Sequence, residues 1–278
     1  MNHLNFKVIS ILLIPFLLSC NPPESEETGK AGKAERMGPE DAPTYDEVLE
    51  DPPEYRDIEK SRLLGKIRPQ SDSLFVEVPV PAANREGLFL RSEALEAFLK
   101  MRQAAKEDGI ALKIISAFRS FNHQKWLWEN KFTGKQNSGG KNMASAYPDP
   151  RERTKNILNY SAMPGTSRHH WGTDVDINSL NPEYFQNGKG KQEYNWLKEN
   201  AAGYGFYQPY TANREGGYSE EHWHWSYMPL AGHYYYNFRE KISYKDIQGF
   251  EGSRFAPELK VIERHVLSNI NPACKDQM

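Results

Sequence analysis

Between Ser92 and Glu107 the apolar residues Leu95, Phe98, Leu99 and Ala105, with Met101 at the edge, recur at the three-to-four spacing of a helix with one buried face. Ser92 is placed to cap that helix. Glu93 and Glu96 put negative charge where the helix dipole favours it, and Gly109 marks its end. Upstream, Phe75 to Val80 alternates like a strand, and Pro79, which has no N–H, assigns it to a sheet edge. Downstream, the pattern predicts a buried strand over 111–117, a helix over 121–131 and another over 151–160. Residues 133–150, rich in Gly, Ser, Asn and Pro, read as a mobile insertion between them. Strands are predicted over 173–177, 206–210 and 222–228, with a helix over 194–204 that stops at Gly205. Leu259, Ile262, Val266 and Ile270 share one face of a predicted helix over 257–270, which Pro272 ends and which is expected to pack on the main domain. Helices mixed with short strands, without regular βαβ alternation, predict an α+β fold: a small antiparallel sheet flanked by helices.

The first twenty residues break this pattern. Lys7 precedes a mostly apolar run from Val8 to Leu18 that is too short to span a bilayer. It ends in Leu17-Leu18-Ser19-Cys20, which resembles a lipobox, so residues 1–20 are expected to be a lipoprotein signal peptide and Cys20 the lipidated residue. That implies a lipid-anchored protein of the cell envelope, outside the cytoplasm. Residues 21–58 read as a flexible acidic and proline-rich linker: from Glu24 to Glu50 nine acids face three bases, with few apolar side chains to bury. An ordered arm over 45–58 is the rival reading. Residues 59–230 are then the main domain, and 231–278 a C-terminal helical extension.

Composition removes several function classes. The formal net charge of −2 leaves no broad basic face for nucleic acid. Cys20 and Cys274 are the two cysteines. With Cys20 lipidated, no disulfide supports the fold, and two thiols so far apart exclude a thiolate metal cluster.

The chemistry concentrates in two segments. Ser167-Arg168-His169-His170-Trp171-Gly172-Thr173-Asp174-Val175-Asp176 is followed 45 residues later by Glu221-His222-Trp223-His224-Trp225-Ser226-Tyr227. Histidines from both segments, a carboxylate and a further glutamate are what a hydrolytic zinc site needs: three N/O ligands, an open position, and a base for water. Asp174 and Asp176 are two apart on one strand, as are His222 and His224, so alternation alone does not choose within either pair. His170 reads as a supporting or surface residue rather than a ligand.

Ser167-x-His169-x-x-Gly172-x-x-x-Asp176 followed by Glu221-x-Trp223-His224-x-x-Tyr227 resembles the VanY-type zinc carboxypeptidases, which trim peptidoglycan stem peptides. Upstream, Ser116-Ala117-Phe118-Arg119-Ser120, with Gln124 beyond it, is similar to that family's S-G-Y-R-S segment, with Ala117-Phe118 in place of Gly-Tyr. Pro164-Gly165 and Tyr204-Gly205-Phe206 also fit, so the resemblance covers about residues 75–230. It implies a hedgehog/DD-peptidase-like fold with the zinc site on the sheet. It implies one Zn2+ held by His169, Asp176 and His224, with Glu221 as general base. Arg119 is expected to meet developing charge on the attacked carbonyl oxygen, the rival role being a clamp on the peptide's terminal carboxylate. Ser116, Gln124, Ser167, Trp223 and Tyr227 are the expected substrate contacts. The implied partners are peptidoglycan stem peptides, and the membrane through Cys20. The implied reaction is removal of a terminal D-alanine, with D,D and L,D cleavage both open. A crosslink-cutting endopeptidase and a non-catalytic, lipid-anchored peptidoglycan-binding module are the alternatives, and an intact Glu221 argues against the second.

Overall fold

Six short strands form two antiparallel sheets among residues 57–278, the part of the chain that this computed structural model describes. The expected signal segment, Cys20 and most of the expected linker lie outside the described residues. Strands β1 (Phe75–Glu77) and β2 (Phe89–Arg91) make a two-stranded sheet. Strands β3 (Ile114–Ser116), β4 (Asp174–Ile177), β5 (Phe206–Tyr207) and β6 (His224–Tyr227) make the second, in the order β3-β4-β6-β5. Mixed helices and small antiparallel sheets are the α+β fold expected from the pattern.

The larger sheet has two unlike faces because side chains alternate along a strand. Val175, Ile177 and Trp225 bury against Leu95, Phe98, Met101 and Ala105 of the helix Ser92–Glu107, with Trp196 and Leu197 beside them. Phe98 and Met101 are wholly buried, and such side chains each stabilise the fold by about 1.5–3 kcal/mol. Asp174, Asp176, His224 and Ser226 occupy the opposite face. Strand β3 would turn Ser116 toward the same side as Ile114, but its register shifts: Ile114 pairs with Ile177 and Ser116 with Asp176. Two steps on β3 against one on β4 is a bulge, and it re-aims Ser116 beside Asp176.

A second core joins the helix Phe121–Phe132 to the C-terminal part of the chain. Trp128 and Phe132 pack in one cluster with Met228, Tyr234 and Phe238 of the helix Met228–Lys241, and with Val261, Val266, Ile270 and Cys274. That helix runs through positions 230 and 231, so the last segment is continuous with the main domain in this region. At the other end, Ile58 is buried and its N–H donates to Asn237 Oδ1 at 3.0 Å. The folded part therefore includes the last residues assigned to the linker.

Several expectations are corrected. Arg91, not Ser92, is the N-cap of the helix Ser92–Glu107. The chain enters the helix directly from β2, and the Ser92 hydroxyl bonds Glu93 instead. Pro257–Ile270 is not one α-helix. Lys260 takes a left-handed φ of 50°, which breaks it, and a π-helical turn follows over Ile262–Leu267. Its apolar residues are nonetheless packed into the second core, as expected. The stretch 133–150 is structured: Asn142 caps a short helix, Met143–Ala146, whose first residue is buried. Arg153 ties the stretch down by donating to the carbonyls of Phe132, Tyr147 and Pro148.

Candidate metal centre

The site begins at a tight turn. Arg168–Trp171 form a 3-10 turn that ends at Gly172, whose φ of 73° lets the chain reverse into β4. A Cβ there would lie 2.3 Å from the Phe75 ring, so a side chain would have to displace that ring as well as hold a strained backbone. This turn presents His169 beside Asp176 on β4, and pairing of Asp176 with His224 brings in β6.

Ligand-type atoms of His169, Asp176 and His224 lie within 4.8 Å of one another, and all three residues are buried. Asp176 Oδ1 is 3.3 Å from His169 Nε2 and 3.6 Å from His224 Nδ1, yet it has no hydrogen-bond partner. Ligand atoms around a tetrahedral zinc, each at about 2.0–2.2 Å, stand roughly 3.3–3.5 Å apart. An orphaned buried carboxylate oxygen facing two imidazole nitrogens at that spacing fits a zinc ion.

Each imidazole is oriented from behind. His169 Nδ1 faces the Ala117 carbonyl at 2.9 Å, which leaves Nε2 toward Asp176. His224 Nε2 faces Asp174 Oδ2 at 2.8 Å, which leaves Nδ1 toward Asp176 and Glu221. Partners of this kind fix the tautomer and raise ligand basicity. Asp174 is itself saturated: it accepts from Arg168 Nε at 3.0 Å, Thr173 Oγ1 at 2.7 Å and Ser226 Oγ at 2.8 Å. The two aspartates that alternation leaves equivalent are thus separated by their partners.

Charge follows the same division. Burial alone would raise both carboxyls. Arg168 and His224 outweigh it at Asp174, while His169, His224 and Arg119 outweigh it at Asp176, and both stay well below the usual range. Burial lowers His169 and keeps it neutral, as a ligand must be. At His224 burial is outweighed by Asp174, Glu221 and Asp176, and the imidazole is pushed up to about 10, so a metal ion bound at its Nδ1 would have to displace a proton. Glu221 Oε2 stands 3.0 Å from His224 Nδ1, at the edge of the group.

Arg119 closes one side. Its guanidinium donates to Gln124 Oε1 at 2.8 Å and Ser116 Oγ at 3.0 Å, and lies 3.6 Å from Asp176 Oδ2. Ser116 and Gln124, expected to touch substrate, therefore spend polar atoms on Arg119. Gln124 also donates to the Ala162 carbonyl at 2.6 Å. Ser167 is buried at the start of the turn, where its carbonyl accepts from His170 N–H at 3.0 Å. The Trp223 ring lies 6.4 Å from Phe185. His222 stacks on Phe185 at 5.7 Å and is not part of the His169, Asp176 and His224 group. Tyr227 lies one residue out of phase with His224 and Ser226, so it leaves the opposite face of β6 and packs 5.4 Å from Phe206. His170 is a support, as expected. Its Nδ1 faces the Arg119 carbonyl at 2.5 Å, its Nε2 accepts from Gly165 N–H at 3.0 Å, and burial lowers it to about 3.

Sequence reasoning missed the brace behind Glu221. Glu221 N–H donates to the Tyr210 carbonyl at 2.9 Å, and Gln208 Nε2 donates to the Glu221 carbonyl at 3.0 Å. The Tyr210 ring meets His224 edge-on at 4.9 Å. From the C-terminal segment, Asn271 donates through its side chain to the Gln208 carbonyl at 3.0 Å and through its N–H to that of Pro209 at 2.8 Å. No local sequence signal marks this contact across 63 residues.

The family model named VanY, D-alanyl-D-alanine carboxypeptidase, matches residues 87–230, just over half of the chain. The YodJ protein of Bacillus subtilis is 32% identical over 148 residues, 50% of this chain and 46% of its own. A D-alanyl-D-alanine carboxypeptidase of Enterococcus faecalis is 30% identical over 129 residues, 46% of this chain and 44% of its own. The chain spans about half the length of these curated relatives. Among solved structures, the LdcB LD-carboxypeptidase aligns with a TM-score of 0.44 at 25% identity, over 61% of this chain and 74% of that one. VanYB in complex with D-alanine-D-alanine aligns with a TM-score of 0.45 at 22% identity, over 63% and 87%.

Proposed function

Because the chain belongs to the VanY family of D-alanyl-D-alanine carboxypeptidases, we propose that it is a zinc metallopeptidase that removes the terminal D-alanine from peptidoglycan stem peptides. One observation carries the reading: the orphaned Asp176 Oδ1 facing His169 Nε2 and His224 Nδ1. These three residues would hold one zinc ion per chain. When bound, zinc supplies Lewis acidity, polarising a carbonyl and making water acidic near neutral pH.

The remaining chemistry belongs to the chain. Glu221 accepts the proton of the attacking water and returns it to the leaving amine. Its place beside His224 Nδ1, fixed by Tyr210 and Gln208, supports that role. Arg119 meets the charge that develops on the attacked carbonyl oxygen. Ser116 and Gln124 hold its fork, so little reorganisation is needed as that charge appears. Ser167 and Trp223 remain candidates for substrate contact. The family description favours a D,D bond over an L,D bond. Cys20 carries a lipid that anchors the enzyme in the cell envelope, facing its polymer. Replacing Cys20 with Ala should release the protein from the membrane fraction, and unchanged fractionation would remove the anchor.

The test is to incubate zinc-loaded protein with defined tetra-, penta- and crosslinked muropeptides and identify products by mass. Loss of one alanine from the pentapeptide is expected. Alanine loss from the tetrapeptide alone would make it an L,D enzyme, and monomers released from crosslinks an endopeptidase. Binding without any product would leave a peptidoglycan-binding module.

A further inference from the structure

Lys131 lies in the last turn of the helix Phe121–Phe132, seven residues beyond Gln124 and so on the same face. Gln124 holds Arg119 and the Ala162 carbonyl. Lys131 Nζ donates to Ser161 Oγ, the neighbouring residue, at 3.0 Å. One helix face thus carries both contacts to the segment that leads through Pro164-Gly165 into the metal turn.

An ammonium has three donors, and Ser161 takes one. Among the described residues no carboxylate lies within ion-pair distance of Lys131 Nζ. The charges that reach it are those of Arg119 and Glu221, both members of the site. Burial, with Arg119 adding to it and Glu221 opposing, brings the amine down to about 8, so it is mostly protonated at neutral pH. A partly buried cation beside a second cation, without an anion of its own, calls for an anionic ligand. Arg119 is already committed to Ser116, Gln124 and the Asp176 side of the site. Lys131 is left over, on a flexible stem that delivers a point charge.

We propose that Lys131 is the substrate-recognition cation of this site, and that its ammonium binds the C-terminal carboxylate of the peptide to be cleaved. This rests on the carboxypeptidase reading. It assigns the two cations different work: Lys131 holds the end of the peptide, and Arg119, its fork fixed by Ser116 and Gln124, turns its remaining N–H groups to the reacting carbonyl. It also accounts for Ser161, which aims the ammonium while leaving two donors for a ligand.

The test measures binding in the zinc-loaded Glu221→Gln protein, so that no substrate is consumed. Calorimetry compares a peptide ending in D-Ala-D-Ala with its C-terminal amide. The acid should bind about 10–100-fold more tightly, the size of one charge-assisted hydrogen bond. Adding Lys131→Met should abolish that preference while leaving affinity for the amide unchanged. Lys131→Gln, which keeps a donor for Ser161, should lose it as well, and guards against a packing defect in the Met variant. Ser161→Ala, which removes the tie but keeps the charge, should retain most of it. A preference for the acid that survives both Lys131 variants overturns the proposal, as does no preference in the Glu221→Gln parent. A third peptide, with its side-chain carboxylate amidated and its terminus free, checks the source: if the Lys131 dependence follows the side-chain group, the terminal assignment is wrong. The underlying reading fails separately, if zinc-loaded wild type releases no D-alanine from the acid peptide.

Discussion

Asp174 and Asp176 leave the same face of one strand two residues apart, both buried and both ionised, yet the two ends of β4 are built differently. Around Asp174 the structure is closed: Arg168, Thr173, Ser226 and His224 fill its oxygens. Around Asp176 it is open: Oδ1 faces two imidazoles without a hydrogen bond, and Arg119 stands off at 3.6 Å from Oδ2. A buried carboxylate that is fully bonded orients its neighbours. One that is left unsaturated, at a cost the fold must offset elsewhere, is available to a cation. The difference between a supporting residue and a ligand lies in partners, not in residue type.

The open end should give the largest effect. Glu221→Gln is nearly isosteric but cannot take a proton from water at neutral pH. Turnover should fall about 10²–10⁴-fold with zinc content unchanged. Near-normal turnover in a zinc-replete sample would remove the base from Glu221. The closed end is tested by stability. Asp174→Ala strands the buried Arg168 guanidinium, and denaturant unfolding should show a loss of about 3–5 kcal/mol. A loss below about 1 kcal/mol, the value of a surface pair, would mean that the closed end is not closed.

Arg119→Ala should lower kcat by roughly 10²–10³ with little change in KM, the pattern of a group that acts in the transition state. A large rise in KM at unchanged kcat would make it a clamp on the ground state and would place it in competition with Lys131. The smallest effect is expected furthest from the metal. Asn271→Ala removes one hydrogen bond to the Glu221-bearing loop and the side-chain cap on Ala273 N–H, so unfolding should shift by about 1–3 kcal/mol while zinc content stays at wild type. Loss of zinc in that variant would show that the C-terminal segment shapes the metal ligands themselves.

The parts of this comparison that were readable in the sequence are those set by local period. Leu95, Phe98 and Ala105 predict the helix Ser92–Glu107 because the three-to-four spacing there is real, but Leu99, expected on that face, is exposed, and Met101, expected at its edge, is wholly buried. Alternation places Asp176 and His224 on one face of the sheet, and it also shows why Tyr227 could not join them. What alternation cannot carry is anything that depends on a partner distant in the chain. The choice between Asp174 and Asp176 is made by Arg168 and Ser226, and the aim of Ser116 by a bulge in β3. The helix expected over 257–270 failed at Lys260, whose left-handed backbone leaves no mark in an apolar pattern. The role proposed for Lys131 depends on Ser161, 30 residues away, and on the lack of a nearby acid among the described residues, which no motif records.

Zinc binding by Asp176→Asn and Asp174→Asn, measured side by side by calorimetry with metal analysis after dialysis, decides which aspartate holds the ion. Both changes remove one charge and keep the shape. Asp176→Asn should retain no stoichiometric zinc, because a ligand is gone. Asp174→Asn should still bind one zinc per chain, about 10–100-fold more weakly, because only the orientation of His224 is disturbed. Zinc retained by Asp176→Asn and lost by Asp174→Asn would exchange the roles of the two ends of the strand.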